Sequence, residues 1–551
     1  MILRSPYPDV VVPPVALPEF LFGRLDPADA DRPAVLDAAT GRGYTFGQLF
    51  DAVRRVAGAL ADRGIGVGAV AGLFAPNSPD YPVAFHGVLA AGAAVSPVNS
   101  QYTPTELADQ LRDAGATLLF TAPEGLARAR LAVAEPAVSV TEIVVLGNPG
   151  GATPAAAAAP NGSAPNGSVP ETSLAELLDT AGPAPEIRID PASLAALPYS
   201  SGTTGVAKGV MLTHRNLVAN LLQLAPLNKI DAGSRLLAVL PLYHIYGLTS
   251  IMNQGLLNRS LIVTMPKFDL AGFLRAIAEH RTDHLYIVPP IALALAKSPL
   301  VDDYDVSSVR FMVSAAASLD AELAEAVARR LGVRVLQGFG LTESSPGTHG
   351  TPPDRPDIDS GSIGVLMPNI EARVVDPATG LDAAEGAAGE LWCRGPNIMR
   401  GYLNNPEATA RTVDTDGFLH TGDLVTADRN GIFRVVGRLK ELIKYKGHQV
   451  APAELEAVLL SHEAIADAAV VGVPDEVSGE LPKAFVVRRD SHPGLDADSV
   501  LTFVAGRVAP HKKVRLVEFV DRIPKSAAGK ILRKDLRASR PVPEGAPSPP
   551  H

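Results

Sequence analysis

The sequence predicts an α/β protein made of a large N-terminal domain followed by a small α+β one, on three observations. The chain has 551 residues, more than one hydrophobic core usually holds. Apolar runs of strand length alternate with runs of helical periodicity through its first half. After the segment 436–440 a compact stretch carries its own strand and helix pattern, and about a hundred residues suffice for a small domain. The expected division is 1–436, 437–440 and 441–540.

Taken in order, Tyr44-Thr-Phe-Gly47 leads into an amphipathic helix over Gln48–Arg63. Val70–Phe74 reads as a buried strand and Tyr81–Ala91 as a helix, and Leu118–Phe120 and Ile143–Leu146 continue the strand series. Between 147 and 172 the composition falls to Gly, Pro, Ala, Ser and Asn, the mark of a flexible insertion because the α/β pattern resumes after it. Glu390–Gly395 reads as strand and turn. In the small domain Pro452–Ser461 reads as a helix, with Ala468–Gly472 and Ala484–Val487 as strands. The Pro-rich tail 541–551 is expected to be disordered.

Composition excludes several classes. Hydrophobic residues make up 46% and charged residues 20%, which is ordinary globular usage. A formal net charge of −10 argues against a global nucleic-acid binder. One stretch leans the other way: 505–540 holds eleven Lys/Arg against Glu518, Asp521 and Asp535. It reads as a solvated helix face or as a docking surface for a small polyanion. The single cysteine, Cys393, permits no internal disulfide, in keeping with a cytoplasmic location, and is expected to be a buried structural thiol. The N-terminus lacks a signal-peptide pattern. The most apolar stretch, Leu236–Leu257, is interrupted by His244 and Asn253, so no membrane span is expected. The Asn-Gly-Ser sequons at Asn161 and Asn166 carry no weight without secretion.

The strongest chemical signal is Tyr199-Ser-Ser-Gly-Thr-Thr-Gly-Val-Ala-Lys-Gly-Val210. Glycines let backbone N–H groups approach phosphate oxygens, hydroxyls add donors and Lys208 adds charge. It is not a Walker A loop, since Ala207 stands where the second glycine belongs and Gly209 follows the lysine. Five more motifs follow in order: Pro241-Leu-Tyr-His-Ile-Tyr-Gly-Leu248, Gln337-Gly-Phe-Gly-Leu-Thr-Glu343, His420-Thr-Gly-Asp-Leu424, Gly437-Arg-Leu-Lys-Glu-Leu-Ile-Lys-Tyr-Lys-Gly447 and Pro524-Lys-Ser-Ala-Ala-Gly-Lys-Ile-Leu-Arg533. Singly, His244 and Tyr246 are core residues, Asp423 a turn residue and Lys530 a solvated lysine. The ordered set lifts them above those readings.

Together the motifs, spread over Asp31–Arg537, resemble the adenylate-forming superfamily of acyl-CoA synthetases, luciferases and peptide-synthetase adenylation domains. Leu439–Gly447 followed by Gln449–Glu456 is shared by coumarate ligases and luciferases, and His244-Ile-Tyr246 resembles 4-coumarate–CoA ligases. The resemblance implies a multi-subdomain N-terminal domain under a small C-terminal lid, with a hinge at 437–440. It implies an acid–CoA ligase using ATP, Mg²⁺ and coenzyme A, through an acyl-AMP.

The implied residues follow motif by motif. Lys530, His244, Lys444 and Gln449 would be catalytic. Ser200, Ser201, Gly202, Thr203, Thr204, Gly205 and Lys208 would cradle phosphates, with Gln337, Gly338, Thr342, Asp423, Arg438 and Lys440 completing the nucleotide site. Glu343 would hold Mg²⁺, as a hard cation prefers carboxylate oxygen. Tyr246, Ser250, Ala316, Gly338, Gly340, Pro346 and Gly347 would line the acid pocket, with Ile291 and Ala294 on a wall. Lys267, Lys446 and Gly447 would meet coenzyme A. Several pocket residues are small, which leaves volume for a flat aromatic acid of the cinnamate or 4-coumarate type.

Other acids remain open, because apolar pockets discriminate weakly. A medium-chain fatty acid ligase, an acyl-AMP ligase serving a separate carrier protein and a non-catalytic nucleotide-binding protein are the alternatives. Coumarate ligases usually have Asp where Gly437 stands, which leaves in doubt any contact that the Asp makes.

Overall fold

The computed structural model describes residues 2–147, 169–200, 207–446, 448–526 and 529–538. The Asn161 and Asn166 sequons, most of the Gly/Pro/Ala-rich insertion and the C-terminal tail lie outside them. Two compact units divide the chain: residues 1–373 with 392–421, and residues 374–391 with 422–551.

The first unit is built on two nine-stranded sheets. In one, Val70–Phe74 lies between the parallel strands Ala94–Val98 and Leu118–Thr121, with Glu142–Val145 beyond. The other centres on the parallel strands Arg235–Ala238, His284–Ile287, Phe311–Ser314 and Val335–Gly340. These strands are apolar on both faces, as parallel strands covered on both sides require. The expected strands of this unit are all present, displaced by at most a residue at their ends.

The first long helix spans Phe46–Asp62, two residues earlier than the periodicity predicts. The reason is a capping box: Thr45 Oγ1 accepts from the Gln48 N–H, and the Gln48 side chain accepts from the Thr45 N–H at 2.9 Å. This helix meets Asp80–Ala90 at Gly87, where an added Cβ would lie 2.4 Å from Val56 Cγ1. Only glycine permits that approach.

The second unit contains an α+β body. The long antiparallel pair Ile465–Asp475 and Gly479–Arg488 is flanked by Ile443–Tyr445 with His448–Val450 on one side. Leu516–Phe519 adds a parallel strand. Leu455 and Leu459 of the helix Pro452–Leu460 and Val500 and Val504 of Ala497–Ala505 pack with Val470 and Val486. Phe485, Ala469 and Val471 form a second cluster with Ile523 and Leu536, so the sheet buries both faces. The basic stretch 505–540 is not one helix face. It runs through a short 3₁₀ turn, a strand and loops before the helix Arg533–Ala538, because its apolar residues serve both layers. Several of its cations are neutralised locally, Lys512 by Glu454 and Lys525 by Asp467.

Cys393 is a buried thiol. Among the described residues no helix is long and apolar enough to cross a membrane.

Candidate active site

In the first unit the edge of the glycine-rich motif is anchored by the strand Lys208–Thr213, antiparallel to Tyr199–Ser200. Gly401–Tyr402 pairs with the same strand. These pairings bring Ser200, Lys208, Tyr402 and Glu343 into one group. Ser200 Oγ donates to Glu343 Oε1 at 3.0 Å, and the Tyr402 hydroxyl donates to the same oxygen at 2.8 Å. Lys208 Nζ stands 4.8 Å from the Tyr402 ring centre. Burial, then the neighbouring Glu343 carboxylate, push the Tyr402 hydroxyl pKa up, so it stays a donor. Ser201, Gly202, Thr203, Thr204 and Gly205 lie outside the described residues.

Glu343 follows Thr342 in a short 3₁₀ turn, which a buried polar network fixes in place. Asn397 Nδ2 donates to the carbonyls of Ser344 and Gly347 at 2.7 and 2.9 Å. Asn220 donates to Gly347 O and accepts from Gly347 N–H. Met399 N–H donates to Glu343 O at 2.8 Å. Each is a buried polar group whose partner is backbone, which fixes the turn's position. Among the described residues no cluster of three or more His, Cys, Asp or Glu could hold a metal. A single buried carboxylate suits Mg²⁺ that takes its remaining ligands from substrate phosphates and water.

Of the residues expected to line the acid pocket, Gly338 and Gly340 lie on the strand Val335–Gly340 and Gly347 begins the strand Gly347–Gly350. Tyr246 is buried, donates its hydroxyl to Val313 O at 3.2 Å and meets Tyr286 edge-to-face at 6.1 Å. Gly338 lies beside Val313, and an added Cβ would lie 3.8 Å from Val313 Cγ1. Gly340 pairs with Gly347. A Cβ on Gly340 would stand 2.0 Å from Pro346 O, so that position excludes every other residue. Ser250 is buried within the π-helix Gly247–Asn253, a form that recurs at functional sites. Ala316 holds φ 71, unusual outside glycine. His244 Nδ1 accepts from the Tyr246 N–H at 3.3 Å, which assigns the ring hydrogen to Nε2.

The Gln337 amide donates to Leu319 O and Ser360 O and accepts from Leu319 N–H. Lys267 is exposed, beyond the strand Leu261–Thr264. Ile291 is buried in the helix Pro289–Lys297, which also carries Ala294.

The second unit holds another group. Asp423, 3% exposed, accepts from Arg438 Nε at 2.6 Å and from its second nitrogen at 3.3 Å. Burial raises the Asp423 pKa, opposed first by Arg438 and then by the Lys530 charge. The Lys530 loop is a tight one: Lys530 N–H donates to Ser526 Oγ, Ser526 N–H donates to Lys530 O at 2.8 Å, and Gly529 adopts φ 77. Arg533 anchors it. Its guanidinium is largely buried, donates to Glu441 at 2.9 Å, to both Glu456 oxygens and to Val470 O at 3.0 Å.

Lys440 and Lys444 are exposed, and Lys444 N–H donates to Glu480. Lys446 holds φ 47 with its ammonium 5.7 Å from the Tyr445 ring centre. Gly447 and the Gln449 side chain lie outside the described set. At Gly437 an added Cβ would lie 3.2 Å from Ala451 Cβ, so Asp there would crowd the helix start.

Two contributors escaped the sequence reading. Tyr402 follows Arg400-Gly401 without a recognisable pattern, and only the strand pairing reveals it. Arg533 ended a quoted motif, yet its partners Glu441 and Glu456 are remote in sequence.

An AMP-binding enzyme family model matches residues 26–403, and an AMP-binding enzyme C-terminal domain model matches residues 454–530. The chain belongs to the AMP-binding enzyme family. It is 41% identical to 4-coumarate–CoA ligase 5 of Oryza sativa subsp. japonica, over 98% of this chain and 97% of that one. It is 40% identical to 4-coumarate–CoA ligase 1 of Solanum tuberosum, over 98% and 96%. The crystal structure of ATP-bound MatB from Rhodopseudomonas palustris superposes with a TM-score of 0.84 at 30% identity, covering 96% of this chain and 99% of that one. An anthranilate CoA ligase, AuaEII, in complex with anthranoyl-AMP gives 0.84 at 26% identity, covering 96% and 98%. The fold is that of adenylate-forming enzymes, with a large N-terminal and a small C-terminal domain. The protein is an AMP-forming acid–thiol ligase of the 4-coumarate–CoA ligase kind, and that chemistry uses ATP and coenzyme A.

Proposed function

We propose that this ligase activates aromatic acids of the cinnamate and 4-coumarate type and transfers them to coenzyme A. The observation that supports the aromatic reading most is Tyr246, held edge-on to Tyr286 and tied by its hydroxyl to Val313 O. A fixed aromatic ring that shares Val313 as a neighbour with Gly338 suits a planar ring.

A carboxylate is a poor electrophile until it gains a good leaving group. Its oxygen attacks the α-phosphorus of ATP, the bond to the bridging oxygen breaks, and pyrophosphate departs. Negative charge crowds that transition state, so positioning and charge stabilisation dominate. Lys530 contacts the carboxylate and α-phosphate oxygens, Thr342 the α-phosphate, and Ser200 and Lys208 the outer phosphates. Asp423 accepts from the ribose hydroxyls with Arg438 beside it. Glu343 would hold Mg²⁺, which when bound would screen the phosphate charge. Ser200 and Tyr402 fix the oxygen that Glu343 presents. In the second step the thiol sulfur of coenzyme A attacks the acyl carbonyl and AMP leaves. His244, with its hydrogen on Nε2, orients the carboxylate. Lys444 and Gln449 serve the first step, and Lys267, Lys446 and Gly447 the coenzyme A step. The segment 437–440 serves as the hinge between the two steps.

Lys530→Ala tests the assignment. ATP–pyrophosphate exchange with 4-coumarate should fall severely while ATP binding stays close to wild type. Full exchange in that variant would remove Lys530 from the mechanism.

A further inference from the structure

We infer that Met367 sets the depth of the acid pocket and thereby the size of acid accepted; this rests on the pocket assignment proposed above. Gly347 and Gly350 present bare backbone on the strand Gly347–Gly350. The space over them is already taken. An added Cβ on Gly347 would lie 2.8 Å from Met367 Cε and 3.0 Å from its sulfur, with Leu224 Cδ2 at 3.5 Å. On Gly350 it would lie 3.6 Å from the same methyl and 3.0 Å from Leu227 Cδ1. The small residues therefore do not by themselves leave a deep pocket; the thioether of Met367, 3% exposed, fills the volume they free.

The backbone at Met367 is pinned. Its N–H donates to Thr348 O at 2.9 Å, its carbonyl accepts from Ile370 N–H at 3.2 Å, and Gln223 fixes the carbonyl of Pro368 at 2.9 Å. The preceding strand Val365–Leu366 pairs antiparallel with Gly347–Gly350. Only the side chain can rearrange, and methionine is the apolar side chain best suited to do so, being unbranched with three rotatable bonds. Position 367 thus acts as an adjustable floor at the wall formed by Gly340, Pro346 and Gly347. Adding bulk at Gly347 must push the thioether aside, and shortening Met367 must deepen the space.

The test uses the full-length enzyme and pyrophosphate release, comparing kcat/KM for cinnamate with that for 4-butoxycinnamate, or octanoate with dodecanoate if only aliphatic acids turn over. Met367→Ala should raise the long-to-short ratio about tenfold. Gly347→Ala should lower it, and the double variant should return toward wild type, with KM for ATP steady throughout. Met367→Leu, which nearly conserves volume, serves if Met367→Ala does not fold, and should change the ratio in the same direction by less. Unchanged ratios in folded variants of an active enzyme would overturn the role of Met367 and leave the ligase reading standing. No release from wild type with any acid would overturn both.

Discussion

The hydroxyl of Tyr402 donates to Glu343 Oε1 at 2.8 Å, on the oxygen that also accepts from Ser200 at 3.0 Å. A buried carboxylate with two donors on one oxygen is held in a single orientation, which suits the magnesium-holding role proposed for it. Tyr402→Phe removes one charge-assisted bond, about 1–2 kcal/mol. The expected outcome is a roughly tenfold fall in acid-dependent pyrophosphate release. Raised Mg²⁺ should recover part of it. Rates titrated against Mg²⁺ concentration check this.

Arg533 is the cation on which the Lys530 loop hangs. Arg533→Ala leaves Glu441 and Glu456 without their partner. Breaking such a buried group costs about 3–5 kcal/mol. Differential scanning calorimetry should show destabilisation assigned to the C-terminal unit. Arg533→Lys should recover little, since one ammonium cannot reach two carboxylates and Val470 O together.

Asp283 supplies a pH dependence of stability away from the chemistry. Burial pushes its pKa up, but the His284 imidazole, the Arg235 N–H and the Arg310 guanidinium outweigh it and hold the carboxyl below its usual value. A depressed folded-state pKa means stability that is present above the unfolded value, about 3.9, and lost as pH falls through the folded value. Asp283→Asn should therefore be less stable by about 1 kcal/mol at neutral pH. The gap should begin to narrow below about pH 4 and close only as pH falls through the folded value, which lies lower. Urea unfolding at about pH 7 and at a series of pH values from about 4 downward decides it.

The strands around Val70–Phe74 and the helices after them were legible because burial writes its period directly into the sequence. The family was legible for a different reason: its motifs keep residue types in a fixed order, and the family models match across them. What stayed hidden depends on pairing between distant segments. Tyr402 reaches Glu343 only because Gly401–Tyr402 joins the strand Lys208–Thr213. Arg533 meets Glu456 through the packing of separate layers. The hydrogen bonds of the Gln337 amide to Leu319 and Ser360 likewise join segments remote in sequence. Gly347 suggested open volume, and Met367 lies over it. Side-chain periodicity says which face is buried, not which neighbour fills it.

The central claim is acid activation through an acyl-AMP followed by transfer to coenzyme A. The most direct measurement is pyrophosphate release with Mg-ATP and a panel of cinnamate, 4-coumarate, caffeate, benzoate, octanoate and an amino acid, with and without coenzyme A, and mass spectrometry of the products. The account predicts fastest release with the cinnamates and a cinnamoyl-type CoA thioester as product. Release with octanoate alone would contradict the aromatic assignment while keeping the chemistry. No release with any acid, or release that never yields a CoA thioester, would contradict the account itself.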